Sequence, residues 1–590
     1  MDCRVRRCLT GALVSLVVCF SLGGTRATWG GSPTLGRQPL ATTVLGGGDR
    51  LIEMSQQVEQ RVVRAYYTDR GMLDGVASWV EPWEVDPVEG CLVVAVDSSQ
   101  YAWLLDQGFR VVVDQGRTLR LNGAAVGIVG QSDGVSGYPC YRTVEETFAA
   151  AEEIAFGYPQ LATWVDIGDS WERVASGGAR GHDIRVLRLT NAEIPGQKPA
   201  LIVVAAMHAR ELASAELAMR FAEYLVTGYG HIPDVTWLLD YHEIHVLLQA
   251  NPDGRQLAET GLLWRKNVNN DHCPGTTRRG VDLNRNFAFM WGCCGGSSGF
   301  ECDEVYRGPF QGSEPETQAI QDYLRALFAD QRDDDLISAA PVTATGVLLD
   351  LHSYGRLVLW PWGFTRAAAP NESALKMLGE RLAFFNQYVP WQASDLYVTD
   401  GALDDFAYGT LGVASFTIEL GTDFFQDCTA FETEIVSANL PALVYASRVA
   451  RMPYLLPSGP EPLDITVSPS VVDDGLTARL TAIVDGTRRN SLDRGSEGYS
   501  PISAAEYYLD DPPWGTTVAS SPFPMAAVDG GFDEPVEAVE AAIDAVGLTT
   551  GRHLVFVRGQ DSEGNWGPIS AGFLYVLPVS TYLPVCQTGP

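Results

Sequence analysis

Four short apolar runs, LIVVAAM (Leu201–Met207), IHVLLQA (Ile244–Ala250), GVLLDL (Gly346–Leu351) and ASFTIEL (Ala414–Leu420), constrain this chain more than any other feature. Each is too continuous for a strand with one wet face. Stretches of helical periodicity lie between them, such as ELASAELAMRFAEYLV (Glu211–Val226). Strands that read as nearly unbroken hydrophobic runs are buried on both faces, which requires helices above and below a largely parallel sheet. The fold class expected for Cys140 to about Pro453 is therefore α/β, an α/β/α unit around a mixed, largely parallel sheet. Thr143, with Glu146 three residues on, marks the start of its first helix as a capping box.

A chain of 590 residues is too long for one core, and domains of about 100–200 residues suggest three or four units. Residues 1–27 carry Arg4, Arg6 and Arg7, then the apolar LTGALVSLVVCFSLGG, then small residues near Ala27, the pattern of a secretory signal. The apolar run is shorter than the ~20 residues a membrane span needs, so the expectation is a secreted protein with no transmembrane segment once the signal is removed. Residues 28–131 form a leader and a small α+β unit, in which VVRAYY, CLVVAVD and FRVVVD read as strands and YAWLLDQ as a helix. The Gly-rich joint GQSDGVSGYP (Gly130–Pro139) is the kind of exposed stretch where proteases cut. The central unit spans 132–455. Beyond the Pro-rich LLPSGPEP the period becomes two, in LDITVS, LTARLTAIV, AEYYLD and HLVFVRGQD, which predicts a β-sandwich over 456–580 before a tail at 581–590.

A net charge of −32 argues against nucleic acid and anionic membrane surfaces as partners. Of eleven cysteines, Cys140, Cys273, Cys293, Cys294, Cys302 and Cys428 fall inside the central unit. An even number in an exported segment points to disulfides and leaves their pairing open.

Reacting groups in open α/β sheets collect at the carboxyl ends of strands. LIVVAAM runs into His208 and Glu211, GVLLDL into His352, and SFTI ends on Glu419. Two imidazoles and a carboxylate are a shell for catalytic zinc with one position open for water, leaving Glu419 to act as a base. HEIH (His242–His245) is read as structural: it lies in a strand pattern with Glu243 expected to point away from both histidines, and it lacks the four-residue helical spacing of a zinc motif.

Further motifs follow in a fixed order: NPDG (Asn251–Gly254), WRKN (Trp264–Asn267), RGVDLNRNF (Arg279–Phe287), YRGPFQGSEPET (Tyr306–Thr317), LHSYG (Leu351–Gly355) and DLYVTDGALDDFAYG (Asp395–Gly409). Together with MHARE and SFTIELG they resemble the secreted zinc metallocarboxypeptidases of the A/B family, and most of all its bacterial carboxypeptidase T branch, over about residues 138–450. The resemblance implies one zinc per catalytic domain, held by His208, Glu211 and His352, with Asp282 orienting the first histidine. It implies Arg265 as the residue that polarises the scissile carbonyl, and Glu419 as general base and proton shuttle. Asn284 and Arg285 match the clamp on the substrate's free carboxylate, a task a planar guanidinium performs with two parallel hydrogen bonds. Tyr397 matches the tyrosine that closes over the terminal residue, and Arg210 a basic residue further along the cleft. Asp404 falls at the pocket position where an acid favours C-terminal Lys or Arg; Asp395 is near enough in sequence to add to it, and Thr399 and Thr417 make the wall partly polar.

Residues 51–121 resemble the propeptide of these enzymes, which implies a zymogen; the C-terminal sandwich resembles immunoglobulin- or fibronectin-like modules. The expected partners are peptides or proteins with a free C-terminus, and the expected state is a monomer. Two other readings stay open: an inactive carboxypeptidase-like binding protein, and a murein-peptide hydrolase using the same zinc set. Calcium would suit an acidic exported enzyme, but no loop has a clear oxygen-ligand spacing.

Overall fold

The computed structural model describes residues 60–122, 131–333, 335–490, 499–514 and 521–578. The signal, the leader as far as residue 59, the first residue of the Gly-rich joint and the tail at 581–590 lie outside the described residues.

Strands β1 (Arg61–Tyr66), β2 (Glu84–Asp86), β3 (Cys91–Val96) and β4 (Arg110–Val113) make an antiparallel sheet in the order β2-β3-β1-β4. Helix Arg70–Ala77 is capped by Asp69, and helix Ser98–Asp106 by Asp97 in a capping box with Gln100. Their apolar faces supply Leu73, Val76 and Leu104 to a core with Val63, Leu92 and Val94. One member of that core comes from far along the chain: Tyr397.

The second sheet comprises β5 (Ala162–Asp169), β6 (Asp183–Leu189), β7 (Ala200–Ala205), β8 (Glu243–Leu247), β9 (Val347–His352), β10 (Leu357–Trp360), β11 (Val389–Gln392) and β12 (Ala414–Glu419). Their order is β11-β10-β12-β9-β7-β8-β6-β5. β12, β9, β7 and β8 run parallel through the middle, while β10 against β12, β8 against β6 and β6 against β5 are antiparallel. Alternation along β7 sends Leu201, Val203 and Ala205 into one core and Ala200, Ile202 and Val204 into the other. Helices Leu212–Gly228, Glu372–Asn386 and Ser437–Val449 cover the first face; Pro315–Leu327 and Leu403–Leu411 cover the second. Each fully buried Leu, Ile or Val contributes about 1.5–3 kcal/mol, so both faces of the central strands hold the sheet in place.

In the C-terminal region, strands Glu461–Ser468, Thr477–Asp485 and Val536–Asp544 belong to one sheet, and Ile502–Leu509, Gly551–Asp561 and Ser570–Leu577 to another. Leu480 and Val539 from the first meet Val555 and Leu574 from the second in a shared core. The Pro-rich segment before it is packed against the central unit. Arg381 donates to the carbonyls of Pro457 and Gly459, and the buried Glu461 sits among Arg381, Arg448 and Arg488.

The six cysteines of the central unit pair as Cys140–Cys428, Cys273–Cys302 and the adjacent Cys293–Cys294, and Cys91 is free and buried in β3. Among the described residues, no helix is long and apolar enough to cross a membrane.

Candidate active site

The parallel register sets the site. Glu419 of β12 lies opposite His352 of β9, and Leu351 opposite Ala205 of β7, so three strand ends stop at one level. The chain leaves β7 through Ala206 in a left-handed conformation (φ 55°), and His208 follows two residues later. Glu211 then stands at the N-cap of helix Leu212–Gly228. A side chain there usually turns back on the first amides. Glu211 makes no such bond; its Oε1 lies 2.7 Å from His208 Nδ1 and its Oε2 2.9 Å from His352 Nδ1.

The far nitrogens are occupied by acids: His208 Nε2 is 3.2 Å from Asp282 Oδ1, and His352 Nε2 is 2.8 Å from Asp350 Oδ2. A carboxylate in that place holds the ring proton on Nε2, which frees Nδ1 as a ligand. The two Nδ1 atoms face each other 3.0 Å apart, beside the Glu211 carboxylate, all deeply buried. Three electron-rich atoms aimed at one spot form an arrangement that a cation satisfies, and two histidines with a glutamate are a set that zinc takes with a position left open.

Around this centre, Asp282 also binds Arg265, whose Nε and Nη2 donate to its Oδ2 at 3.0 and 2.9 Å. Burial would raise the Asp282 carboxyl, but Arg265 and His208 hold it well below the usual range. Glu419 faces the same cavity; burial pushes it up to about 8 against the opposing pull of His352. Arg285 is pinned through Nε to the Gly296 carbonyl (3.0 Å) and through Nη1 to that of Asn284 (2.8 Å), and it lines the cavity. Asn284 spends its amide internally: Oδ1 accepts from Leu403 N (2.8 Å), while Nδ2 lies 3.3 Å from Asp350 Oδ2 and 3.1 Å from His352 Nε2. Asp404 is buried and lines the cavity, with Thr417 Oγ1 3.3 Å from its Oδ2, and burial pushes it up to about 6.

Tyr397 is buried between this cavity and the core of the N-terminal sheet. Arg210 is clasped between Glu304 at 2.6 Å and Glu81 at 2.7 Å, and Glu81 also pairs with Arg265. A carboxylate from the N-terminal unit thus occupies two cations of the cleft.

Two expectations need correction. Asp395 does not reach the pocket: it is half-exposed and lies 3.7 Å from Arg70 of the N-terminal unit. Glu243 does not point away from both histidines of HEIH, because residues 243 and 245 share a face of β8, and its Oε2 lies 3.3 Å from His245 Nε2. His245 Nδ1 bonds the Tyr323 hydroxyl (2.7 Å), and His242 packs on Trp237.

Residues 148–437 match the family model described as "Zinc carboxypeptidase". A "Zinc carboxypeptidase" of Saccharothrix mutabilis subsp. capreolus is 31% identical over 50% of this chain and 64% of its own length. Human "Carboxypeptidase B2" is 30% identical over 48% of this chain and 63% of its own, and rat "Carboxypeptidase A1" 30% over 41% and 52%. The chain therefore spans less than two thirds of these relatives' lengths. Among solved structures, a carboxypeptidase A from Helicoverpa armigera is similar in fold with a TM-score of 0.54 at 21% identity, covering 67% of this chain and 98% of that one. Thrombin activatable fibrinolysis inhibitor gives 0.51 at 23% identity, over 66% of this chain and 99% of its own.

Proposed function

We propose that this chain is an exported zinc-dependent carboxypeptidase of the carboxypeptidase T branch, hydrolysing the C-terminal peptide bond of peptides or proteins and made as a zymogen. The observation that carries this reading is the convergence of His208, Glu211 and His352 beside Glu419, with a cavity lined by Arg285 adjoining it. Zinc bound by those three residues, one ion per catalytic domain, supplies a Lewis acid and lowers the pKa of water.

The chain's own groups do the rest. Arg285 takes the terminal carboxylate, and its pinned guanidinium fixes the direction of that contact. Arg265 polarises the scissile carbonyl and receives the developing oxyanion. Glu419 takes a proton from the attacking water and returns it to the leaving amine, roles for which it is placed by lining the same cavity as His208 and His352. Tyr397 closes over the terminal side chain, and ionised Asp404 with Thr417 and Thr399 favours C-terminal Arg or Lys. Latency is supported by Glu81 on Arg210 and Arg265 and by Tyr397 held in the N-terminal core. The C-terminal sheets act as an immunoglobulin- or fibronectin-like accessory module, and the protein works as a monomer.

The test is release of the last residue from matched peptides ending in Arg, Lys, Phe, Leu or Glu, by chain cut in the Gly-rich joint. Release that a zinc chelator stops and Glu419→Gln abolishes is expected. Binding of zinc without release from any peptide would overturn the reading.

A further inference from the structure

We propose that the cleft upstream of the scissile bond is a subsite for acidic residues, so that this chain favours substrates carrying Asp or Glu a few positions before the C-terminal residue. The proposal rests on the carboxypeptidase reading above. The protein has 73 acidic and 41 basic residues, yet one cavity is lined by Arg210, Arg265, Lys266, Arg278 and Arg279 against only Asp303 and Glu304. It shares no lining residue with the cavity of Arg285 and Asp404. Arg265, with Nη1 3.2 Å from His208 Nδ1, borders the basic cavity at the metal centre. A peptide with its carboxylate on Arg285 and its last carbonyl at Arg265 therefore runs back past Arg210 toward Arg278.

The N-terminal unit already presents this kind of ligand. Its Glu81 sits on Arg210 and Arg265, and its Asp97 pairs with Arg278. Once that unit leaves, the cations differ in what they retain. Arg210 keeps Glu304, Lys266 Nζ keeps the carbonyls of Glu301 and Asp303 at 3.1 and 3.0 Å, and Arg279 stays over the Trp264 ring at 4.9 Å. Arg278 loses the carboxylate of Asp97. A guanidinium at the wall of a cleft pairs with a carboxylate in two-point geometry that a neutral amide does not reproduce.

The experiment compares two peptides with the same terminal residue, one with Glu and one with Gln at the third and fourth positions from the end. The chain is cut in the joint and diluted until the freed unit dissociates. The expected result is a kcat/KM about tenfold higher for the Glu peptide, carried by KM and shrinking in 0.5 M salt. Arg278→Gln should erase the difference while leaving the Gln-peptide rate unchanged, and Arg278→Lys should restore part of it. Equal rates on the two peptides would overturn the proposal and leave the arginines as anchors for the N-terminal unit alone. Absence of hydrolysis from both would refute the carboxypeptidase reading instead. Binding of the same peptides to the cut Glu419→Gln chain, read by fluorescence anisotropy, then decides: tighter binding of the Glu peptide supports the subsite, and equal binding overturns it.

Discussion

Replacing Glu81 by glutamine in the uncut chain should release latent activity. The Glu81 carboxylate holds Arg210 Nη2 at 2.7 Å and pairs with Arg265, in a cleft where both arginines are almost fully buried. Charge-assisted hydrogen bonds contribute about 1.5–3 kcal/mol each, against about 0.5–1.5 kcal/mol for neutral ones. The glutamine oxygen still accepts from one charged guanidinium, so the exchange loses one charge-assisted contact, a deficit of about 2 kcal/mol in the closed state. At about 1.4 kcal/mol per tenfold, the fraction of molecules with an open cleft rises about 30-fold. The assay is the initial rate on a small blocked dipeptide before cutting, normalised to the rate of the same preparation after cutting in the joint. Glu84→Gln serves as the control, since Glu84 pairs at 2.5 Å with Arg117 inside the N-terminal unit. A normalised rate for Glu81→Gln within twofold of the parent would refute the idea that this carboxylate holds the cleft shut.

Asp350→Asn should weaken zinc binding about 10–100-fold in a chelator competition, because the His352 ring loses the acceptor 2.8 Å from Nε2; unchanged affinity would show that the contact does not orient the ligand. Asp404→Asn should lower the ratio of Arg to Phe release about tenfold with zinc content intact, and a constant ratio would remove Asp404 from specificity. Glu316 is fully buried beside Glu314, and burial pushes its carboxyl up to about 8. Its folded pKa lies above the ordinary 4.5, so the stability it contributes is complete below pH 4.5 and is lost as pH climbs to 8. Glu316→Gln should therefore gain melting temperature relative to the parent between pH 5 and 8 and level off above it; a gain that does not change with pH would contradict this.

The central strands and the meeting of His208, Glu211 and His352 were legible because strands buried on both faces leave unbroken apolar runs, and polar residues at their ends break those runs at fixed points. Asp350 was equally exposed to such reading. In GVLLDLH the acid and the histidine are two apart and share a face of β9, yet the residue passed as part of an apolar run. Glu243 was misplaced for the same reason. The short strands β10 and β11, four residues each, carry too little pattern to separate from turns. What packing decides was not legible at all: Glu81 on Arg265, Tyr397 in the N-terminal core, and a disulfide between adjacent cysteines all depend on how distant segments or local backbone close.

The Cys140–Cys428 bond makes cleavage in the joint directional. Downstream of a cut, the new amino terminus stays moored, within one residue of Pro139, to the segment that follows β12. Upstream, the freed piece keeps only contacts such as Glu81 with Arg265, Asp97 with Arg278 and Asp74 with Arg366 at 2.8 Å, and no disulfide among the described residues ties it down. Under the zymogen reading proposed above, one severed peptide bond would turn a tethered inhibitor with high effective concentration into a bimolecular one. Its hold would then depend on how much protein is present, and dispersal into a large volume would complete what the cut begins.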